Sequence, residues 1–278
     1  MSSMRGTVWI VATPLGNLGD LSPRARETLE RVGVVLSEDT RRTGQLLQLA
    51  GISGKRLLSL HEHNEEERLG EVLDLLAAGT DAAVVSDAGT PLIADPGYRL
   101  VAACRERGLT VSPVPGPCAP IAALMGSGLP PYPFVFLGFL PRREGEIRAL
   151  FRQYAALQAT LVFFERKNRV ARALEVAASV LGERDFCLAR ELTKKHEQFI
   201  NGRLGEPLAE SDGLRGELTV VIGPPRAAAS SREEVEGLVR DMAGQGLSPR
   251  DMARTIRGRT TGWTAKDIYA LVLERGAK

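Results

Sequence analysis

The chain has little of what usually makes a protein easy to place. It has three cysteines in 278 residues, Cys104, Cys118 and Cys187, standing far apart and without metal-ligand spacing. Neither a disulfide framework nor a cysteine-bound zinc is indicated, and core filling in a reducing compartment is the plain role for each. Aromatic residues make up 5%, too few for a surface that stacks the bases of a free single strand one after another. No apolar run approaches the length of a bilayer. The opening MSSMRGTVWIVATP places its apolar residues in a strand-length burst without a basic flank, so no export signal and no membrane partner are expected. A cytoplasmic location follows as the expectation. Net charge is only +2, too small to indicate a polyanion by itself. The G-x-G-x-x-G and G-x-x-x-x-G-K-[ST] fingerprints are absent, and GISGKR (51–56) lacks the spacing, so a phosphate-poor ligand fits better than NAD or ATP. HEH (61–63) offers two alternating histidines and no third ligand, so a helix start or cleft wall is preferred there to a metal site.

Short apolar runs alternate with longer segments of helical period. TVWIVA (7–12), VVLS (34–37), LLSL (57–60), AAVVS (82–86) and LTVSPV (109–114) are brief, apolar and bounded by turn residues, as strands buried on both faces are. The segments between them space apolar residues three and four apart, and Ser22-Pro23 has the form of an N-cap followed by proline at the first helical position. This β-α-β alternation predicts an α/β domain with a mainly parallel sheet over residues 1–114. After GLPPYPF (128–134) come FVFLGF (134–139), TLVFF (160–164), FCLAR (186–190), EQFINGRL (197–204) and ELTVVIG (217–223), with helices near 143–156 and 168–181. The later strands follow one another through turns alone, so residues 115–225 read as a second α/β domain with a mixed sheet that closes a cleft. PPRAAASSREE (224–234) leads into a helical appendage over 226–278, where ten basic residues face seven acidic ones. Arginine-rich paired helices contact nucleic acid in some folds and pack on their own domain in more.

Ligands of parallel sheets sit beyond the carboxyl ends of the strands, and three rigid loops lie there. They are TPLGNLGD (13–20), SDAGTPLIADPG (86–97) and PVPGPCAPIAALMGSG (113–128). Glycine and proline fix such loops so that main-chain groups face a ligand at low entropic cost, although a turn alone uses the same residues. SDAGTPLIADPG carries acids and no lysine or arginine, which suits an uncharged or cationic ligand. Elsewhere charge is uneven: from Phe139 to Val170 seven basic residues face three acids, either a solvated face or a surface for a polyanion.

VATPLGNLGDLSPRA, SEDTRRTGQLL, LHEHNEEER, VVSDAGTPLIADPGYRLV, PVPGPCAPIAAL, FLGFLPR, FFERKNRV, ARELTKKHEQFINGRL and GELTVVIG, in this order over residues 6–225, together resemble the ribosomal RNA small subunit methyltransferase I family of the tetrapyrrole methylase superfamily. The resemblance implies two α/β domains with S-adenosylmethionine between them, and 2'-O-methylation of a cytidine in the decoding region of 16S rRNA. It further implies a homodimer acting on the small ribosomal subunit. The cofactor would be lined by Pro14, by Ala88, Gly89, Thr90 and Ile93, and by Ala119 and Pro120, with Glu165, Leu192 and Leu218 closing over it. Porphyrinogen-acting relatives carry a second loop nearer G-G-D-P; here AGTP puts Thr90 in place of the acid, so a main-chain role is expected. A ribose hydroxyl needs a base, or a cation that stabilises the developing alkoxide. Glu38, Asp39, Asp87 and Lys194 are the catalytic candidates, with Glu165, Glu191, Lys195 and His196 at neighbouring strand ends. Glu38 and Asp39 equally fit the cap of a helix starting at Thr40. Arg41, Arg42, Arg142, Arg143, Arg166, Lys167, Arg169 and Lys195 are the expected phosphate contacts. A tetrapyrrole-like substrate, or an RNA-binding assembly factor without turnover, stays open.

Overall fold

The computed structural model describes residues 5–61, 64–207, 216–225, 230–243 and 245–276. Residues 1–225 form one compact unit and 226–278 a second.

In the first unit, β1 (Thr7–Val11), β2 (Val34–Ser37), β3 (Arg56–Ser59), β4 (Ala82–Val85) and β5 (Thr110–Val114) form an all-parallel sheet in the order β3-β2-β4-β1-β5. Alternation along β2 explains the layers. Val34 and Leu36 enter one buried cluster with Val72, Leu73 and Leu76 of α3 (Glu65–Ala77) and Leu100 and Cys104 of α4 (Tyr98–Glu106). Val35 enters another with Ala25 and Leu29 of α1 (Pro23–Arg31) and Leu47 of α2 (Thr40–Leu49). Side chains that point to opposite faces at successive positions thus require helices on both. Ser22 caps α1 through Ala25 N–H at 3.1 Å, with Pro23 at its first position.

The second sheet contains β6 (Phe134–Phe139), β7 (Thr160–Arg166), β8 (Asp185–Arg190), β9 (Gln198–Arg203) and β10 (Glu217–Ile222), in the order β6-β7-β10-β8-β9. β6 and β7 are parallel and the remaining pairs antiparallel. One face is covered by α6 (Glu144–Tyr154) and α7 (Val170–Leu181), whose Phe151, Ala173 and Leu174 pack with Phe163, Leu218 and Val220. The other face packs α5 (Ala119–Ser127) through Ala123 and Leu124, together with Leu15 from the loop after β1. Leu15 thus ties the first sheet's loops to the second sheet's core.

Arg184 is fully buried, and its guanidinium donates to the carbonyls of Ala155 at 2.6 Å and of Leu181 and Gly223 at 3.4 Å. It satisfies carbonyls where α6 and α7 end, and burial lowers its pKa from the ordinary arginine value. The second unit is α8 (Arg232–Met242), α9 (Pro249–Arg257) and α10 (Ala265–Gly276) around its own core of Val235, Val239, Met252, Ile256, Ile268 and Leu271. Among the described residues no helix is long and apolar enough to cross a membrane, and no three-residue metal cluster is found.

Candidate functional site

Strand order decides which loops meet. β4, β1 and β5 are adjacent, so their carboxyl-end loops emerge side by side, and hydrogen bonds stitch them together. Thr13 N–H donates to Gly89 C=O at 2.8 Å and Gly89 N–H returns to Thr13 C=O at 3.0 Å. The Thr13 hydroxyl donates to Ser86 C=O at 3.1 Å, and the Ser86 hydroxyl to Gly89 C=O at 3.1 Å. Thr90 joins the third loop, its hydroxyl donating to Pro117 C=O at 2.9 Å. The Thr90 side chain therefore has a structural partner, which leaves the main chain to face a ligand.

Gly89 has φ +83°, and a Cβ there would lie 2.9 Å from Leu15 Cδ2 and 3.6 Å from Pro117 O. Only glycine adopts this conformation cheaply while letting three loops approach so closely. Leu92 and Ala94 hold φ of 70° and 67° without that freedom. The loop's far end is pinned where Gly97 and Arg99 N–H donate to the buried Glu65 carboxylate at 3.1 and 3.0 Å. That carboxylate supplies the N-terminal cap α4 otherwise lacks.

The proposed cofactor-lining residues divide by exposure. Ala88 and Ile93 are exposed, Pro14, Thr90 and Ala119 half-buried, and Gly89 and Pro120 buried. Ala88 has no main-chain partner among the described residues, so its N–H and C=O are available at the rim. Loops fixed in this way offer main-chain groups to a compact ligand at low entropic cost. Charge requires a correction to the sequence-based expectation. The loop after β4 has no cation of its own, yet folding brings Arg42 to Asp87 at 3.2 Å and lays Lys194 across Gly16, where a Cβ would meet Lys194 Cγ at 2.3 Å. Lys194 Nζ is 3.1 Å from Glu191 Oε1. Both cations are thus matched by carboxylates, and the rim is balanced rather than free of positive charge.

The second sheet contributes from the same kind of strand end. The carboxyl ends of β6, β7 and β8 and the loops after them carry Arg142, Arg143, Arg166, Lys167, Lys194 and Lys195, all exposed. Arg142, Arg166, Lys167 and Lys195 have no carboxylate partner among the described residues, and Arg143 reaches Glu146 only at 3.7 Å. Arg169 departs from its predicted role. It ion-pairs at 3.2 Å with the buried Glu165 and donates to the carbonyls of Pro141 and Leu140, so it ties two loops together instead of facing phosphate. Glu165 in turn accepts from Arg166 N–H at 2.8 Å. Leu192 is buried on the α5 side, beside Leu15. The Leu218 side chain points to the opposite face, into the α6–α7 core, so only its main chain can serve the cleft.

The loop after β8 is knotted by its own bonds. Thr193 N–H donates to Glu197 Oε2 at 2.6 Å and Lys194 N–H to Glu191 C=O at 2.9 Å, while Glu191 and Thr193 hold φ of 49° and 66°. Backbone strain of this kind persists only where surroundings enforce it. The Thr193 hydroxyl is buried without a partner among the described residues. No string in the sequence signals that strain.

On the first sheet, Asp39 caps α2 by accepting from Arg41 N–H at 2.9 Å, and clamps the Arg41 guanidinium at 3.1 and 2.9 Å. Those hydrogen bonds, led by the side-chain bond from Arg41, bring its pKa down to about 2, which disfavours it as a base near neutrality. Asp87 accepts from Asp39 N–H at 3.2 Å besides its pair with Arg42. Glu38 is exposed and has no partner among the described residues. His61 opens the turn into α3, its N–H donating to Asn64 Oδ1 at 2.8 Å, whereas Glu62 and His63 lie outside the described residues. His196 is exposed in the loop after β8.

Residues 7–208 match the model of a family described as Tetrapyrrole (Corrin/Porphyrin) Methylases. A ribosomal RNA small subunit methyltransferase I from Micromonospora olivasterospora is 46% identical over 272 residues, 95% of this chain and 86% of that protein. A protein of the same name from Escherichia coli O157:H7 is 45% identical over 223 residues, 78% of each chain. Among solved structures, the methyltransferase CobJ superposes with a TM-score of 0.61 at 20% identity, over 82% of this chain and 96% of that one. The cobalt precorrin-4 methyltransferase CbiF gives 0.58 at 16% identity, over 78% and 94%. At such identities the structural likeness speaks for the fold alone.

Proposed function

The chain belongs to the tetrapyrrole (corrin/porphyrin) methylases and, within them, to the ribosomal RNA small subunit methyltransferase I family, and from that premise we propose that it methylates the 2'-oxygen of a cytidine ribose in the decoding region of 16S rRNA. Methyltransferases of this family use S-adenosylmethionine. The observation that carries the reading is the stitched trio of loops, Thr13 to Gly89 and Thr90 to Pro117, beside a second sheet whose loops end in exposed cations.

When bound, the cofactor supplies an electrophilic methyl carbon on a sulfonium. Pro14, Ala88, Gly89, Thr90, Ile93, Ala119 and Pro120 would hold it, with Glu165, Leu192 and the Leu218 main chain closing from the second sheet. These residues contribute mainly by positioning, since bringing the acceptor oxygen in line removes much of the entropic barrier. Arg142, Arg143, Arg166, Lys167 and Lys195 would orient the RNA through phosphates, with Arg41 and Arg42 of α2, exposed but paired with Asp39 and Asp87, as secondary contacts. We assign the proton to Glu38, whose carboxylate is unoccupied, in preference to Asp87, which Arg42 and Asp39 N–H already engage. Lys194 reaches from one sheet's loop to the other's, and it would stabilise negative charge developing on the acceptor oxygen. A cytoplasmic homodimer acting on the small ribosomal subunit completes the reading.

The test is transfer of labelled methyl groups to small-subunit RNA, with ribonuclease digestion and mapping of 2'-O-methylated positions. Label in a cytidine of the decoding region supports the reading. The exposed cations of the second sheet's loops also suit a tetrapyrrole polycarboxylate, so label appearing only in an added porphyrinogen would replace it. RNA binding without transfer at saturating cofactor would make the chain an assembly factor.

A further inference from the structure

The appendage carries its charge in a pattern that its own folding does not explain. Between Pro249 and Lys266 five basic residues face one acid, Asp251. That acid is occupied, accepting from the Ser248 hydroxyl at 2.6 Å while Ser248 caps α9. Arg250, Arg254 and Arg257 follow one another at four and three residues. On a helix this spacing gathers them within an arc of about 60° over about 10 Å. Met252, Ala253 and Ile256 occupy the core-facing side of the same helix, and the three arginines are exposed.

Among the described residues none of Arg250, Arg254, Arg257 and Arg259 has an ion pair or side-chain hydrogen bond. The contrast is within the unit itself, because Arg232 of α8 is held by Glu236 at 3.0 Å and Glu274 at 3.2 Å. Like charges three and four residues apart on a helix repel; Arg250 in the first turn also opposes the helix dipole, whereas Arg254 and Arg257 in the last turn are favoured by it. The mutual repulsion along the stripe is relieved when an anion lies against it. Guanidinium groups in such a row match phosphates, each of which accepts a forked pair of hydrogen bonds.

We propose that this face of α9 docks on the phosphate backbone of the RNA, giving affinity and orientation without reading sequence. It rests on the rRNA reading above and concerns residues of the second unit alone.

The test uses full-length protein and deproteinised small-subunit RNA, with affinity measured across a salt series. In the triple variant Arg250→Glu, Arg254→Glu, Arg257→Glu, the slope of log affinity against log salt should fall by about two to three, with at least about a tenfold loss near 0.1 M salt. The triple lysine variant should keep most of the slope, because point charges suffice for counterion release. If reversal unfolds the unit, Arg254→Gln alone should lower the slope by about one. A slope unmoved by reversal or neutralisation overturns the proposal, as does a lysine set that loses as much as the glutamate set. Loss seen with assembled subunits but not naked RNA would make the partner a protein. A parent protein without salt-dependent affinity for either the naked RNA or assembled small subunits removes this and the rRNA reading together. A parent that methylates RNA with a slope indifferent to α9 removes this one alone.

Discussion

Replacing Gly89 by alanine tests whether the stitched loops form the cofactor site. The backbone there has φ +83°, and the new Cβ would lie 2.9 Å from Leu15 Cδ2. A left-handed conformation costs a residue other than glycine about 1–2 kcal/mol. The Leu15 methyl can move by a few tenths of an ångström, but Leu15 is packed against the second sheet's core, so its movement is transmitted there. If the backbone relaxes instead, the reciprocal Thr13–Gly89 pair at 2.8 and 3.0 Å loosens, and each bond contributes about 0.5–1.5 kcal/mol net. Either route predicts a loss of about 1–3 kcal/mol, a fall in Tm on the order of 2–12 °C for a unit of this size. Displacing the same main chain should weaken S-adenosylmethionine binding by about tenfold or more, roughly 1.4 kcal/mol, measured by calorimetry on folded protein. Thr90→Val is the companion. It keeps the shape and removes the 2.9 Å bond to Pro117 C=O, so it should weaken binding less, by about two- to fivefold if the third loop drifts. A Gly89→Ala protein that loses stability but binds the cofactor as before would refute the assignment of this loop to the site.

Glu65→Gln should cost about 1–2 kcal/mol in urea unfolding, since the amide still accepts from Gly97 and Arg99 N–H but loses its charge at the α4 N-terminus; an unchanged midpoint would deny that cap its role. Arg184→Met should destabilise by about 3–5 kcal/mol, because it leaves the carbonyls of Ala155, Leu181 and Gly223 buried without their donor, and a loss below about 1 kcal/mol would contradict that account. Asp39 has a folded pKa of about 2, below its ordinary value of 3.8, so its contribution is complete above the unfolded value and disappears as pH falls from about 4 through about 2. Asp39→Asn should therefore flatten stability against pH in that acid window and leave neutral-pH methyl transfer within about threefold, whereas loss of transfer with stability intact would make Asp39 a participant. Gly16→Ala places a methyl group where Lys194 now lies, at 2.3 Å from its Cγ. It should lower the methyl-transfer rate with little change in Tm, and add almost nothing in a Lys194→Ala background; full additivity would show that the two act separately.

The strands were legible because each is short, apolar and bounded by turn residues, and the observed ranges differ from the expected ones by a residue or two. TVWIVA became Thr7–Val11, and FCLAR became Asp185–Arg190. Their order was not. Val34 to Leu36 and Ala82 to Val85 are buried on both faces, so neither carries an alternation that would say which neighbour it prefers. The insertion of β4 between β2 and β1 is nonetheless what makes three loops neighbours. The same limit applies to charge. Glu65 was indistinguishable from Glu66 and Glu67 in NEEER, yet it alone of the three is buried. Arg169 looked like Arg166 and Lys167 until Glu165 and two carbonyls claimed it. A residue's type and spacing report what it can bind, whereas burial decides whether another part of the chain has already bound it. Arg250, Arg254 and Arg257 show the converse: their charge was visible in the sequence, and their lack of partners appeared only once the helix and its core were in place. Cations that folding leaves unmatched are the ones with capacity for an external anion, which is why the α9 stripe and the four unpaired side chains at the β6 to β8 loops are better guides to an RNA path than the chain's net charge of +2.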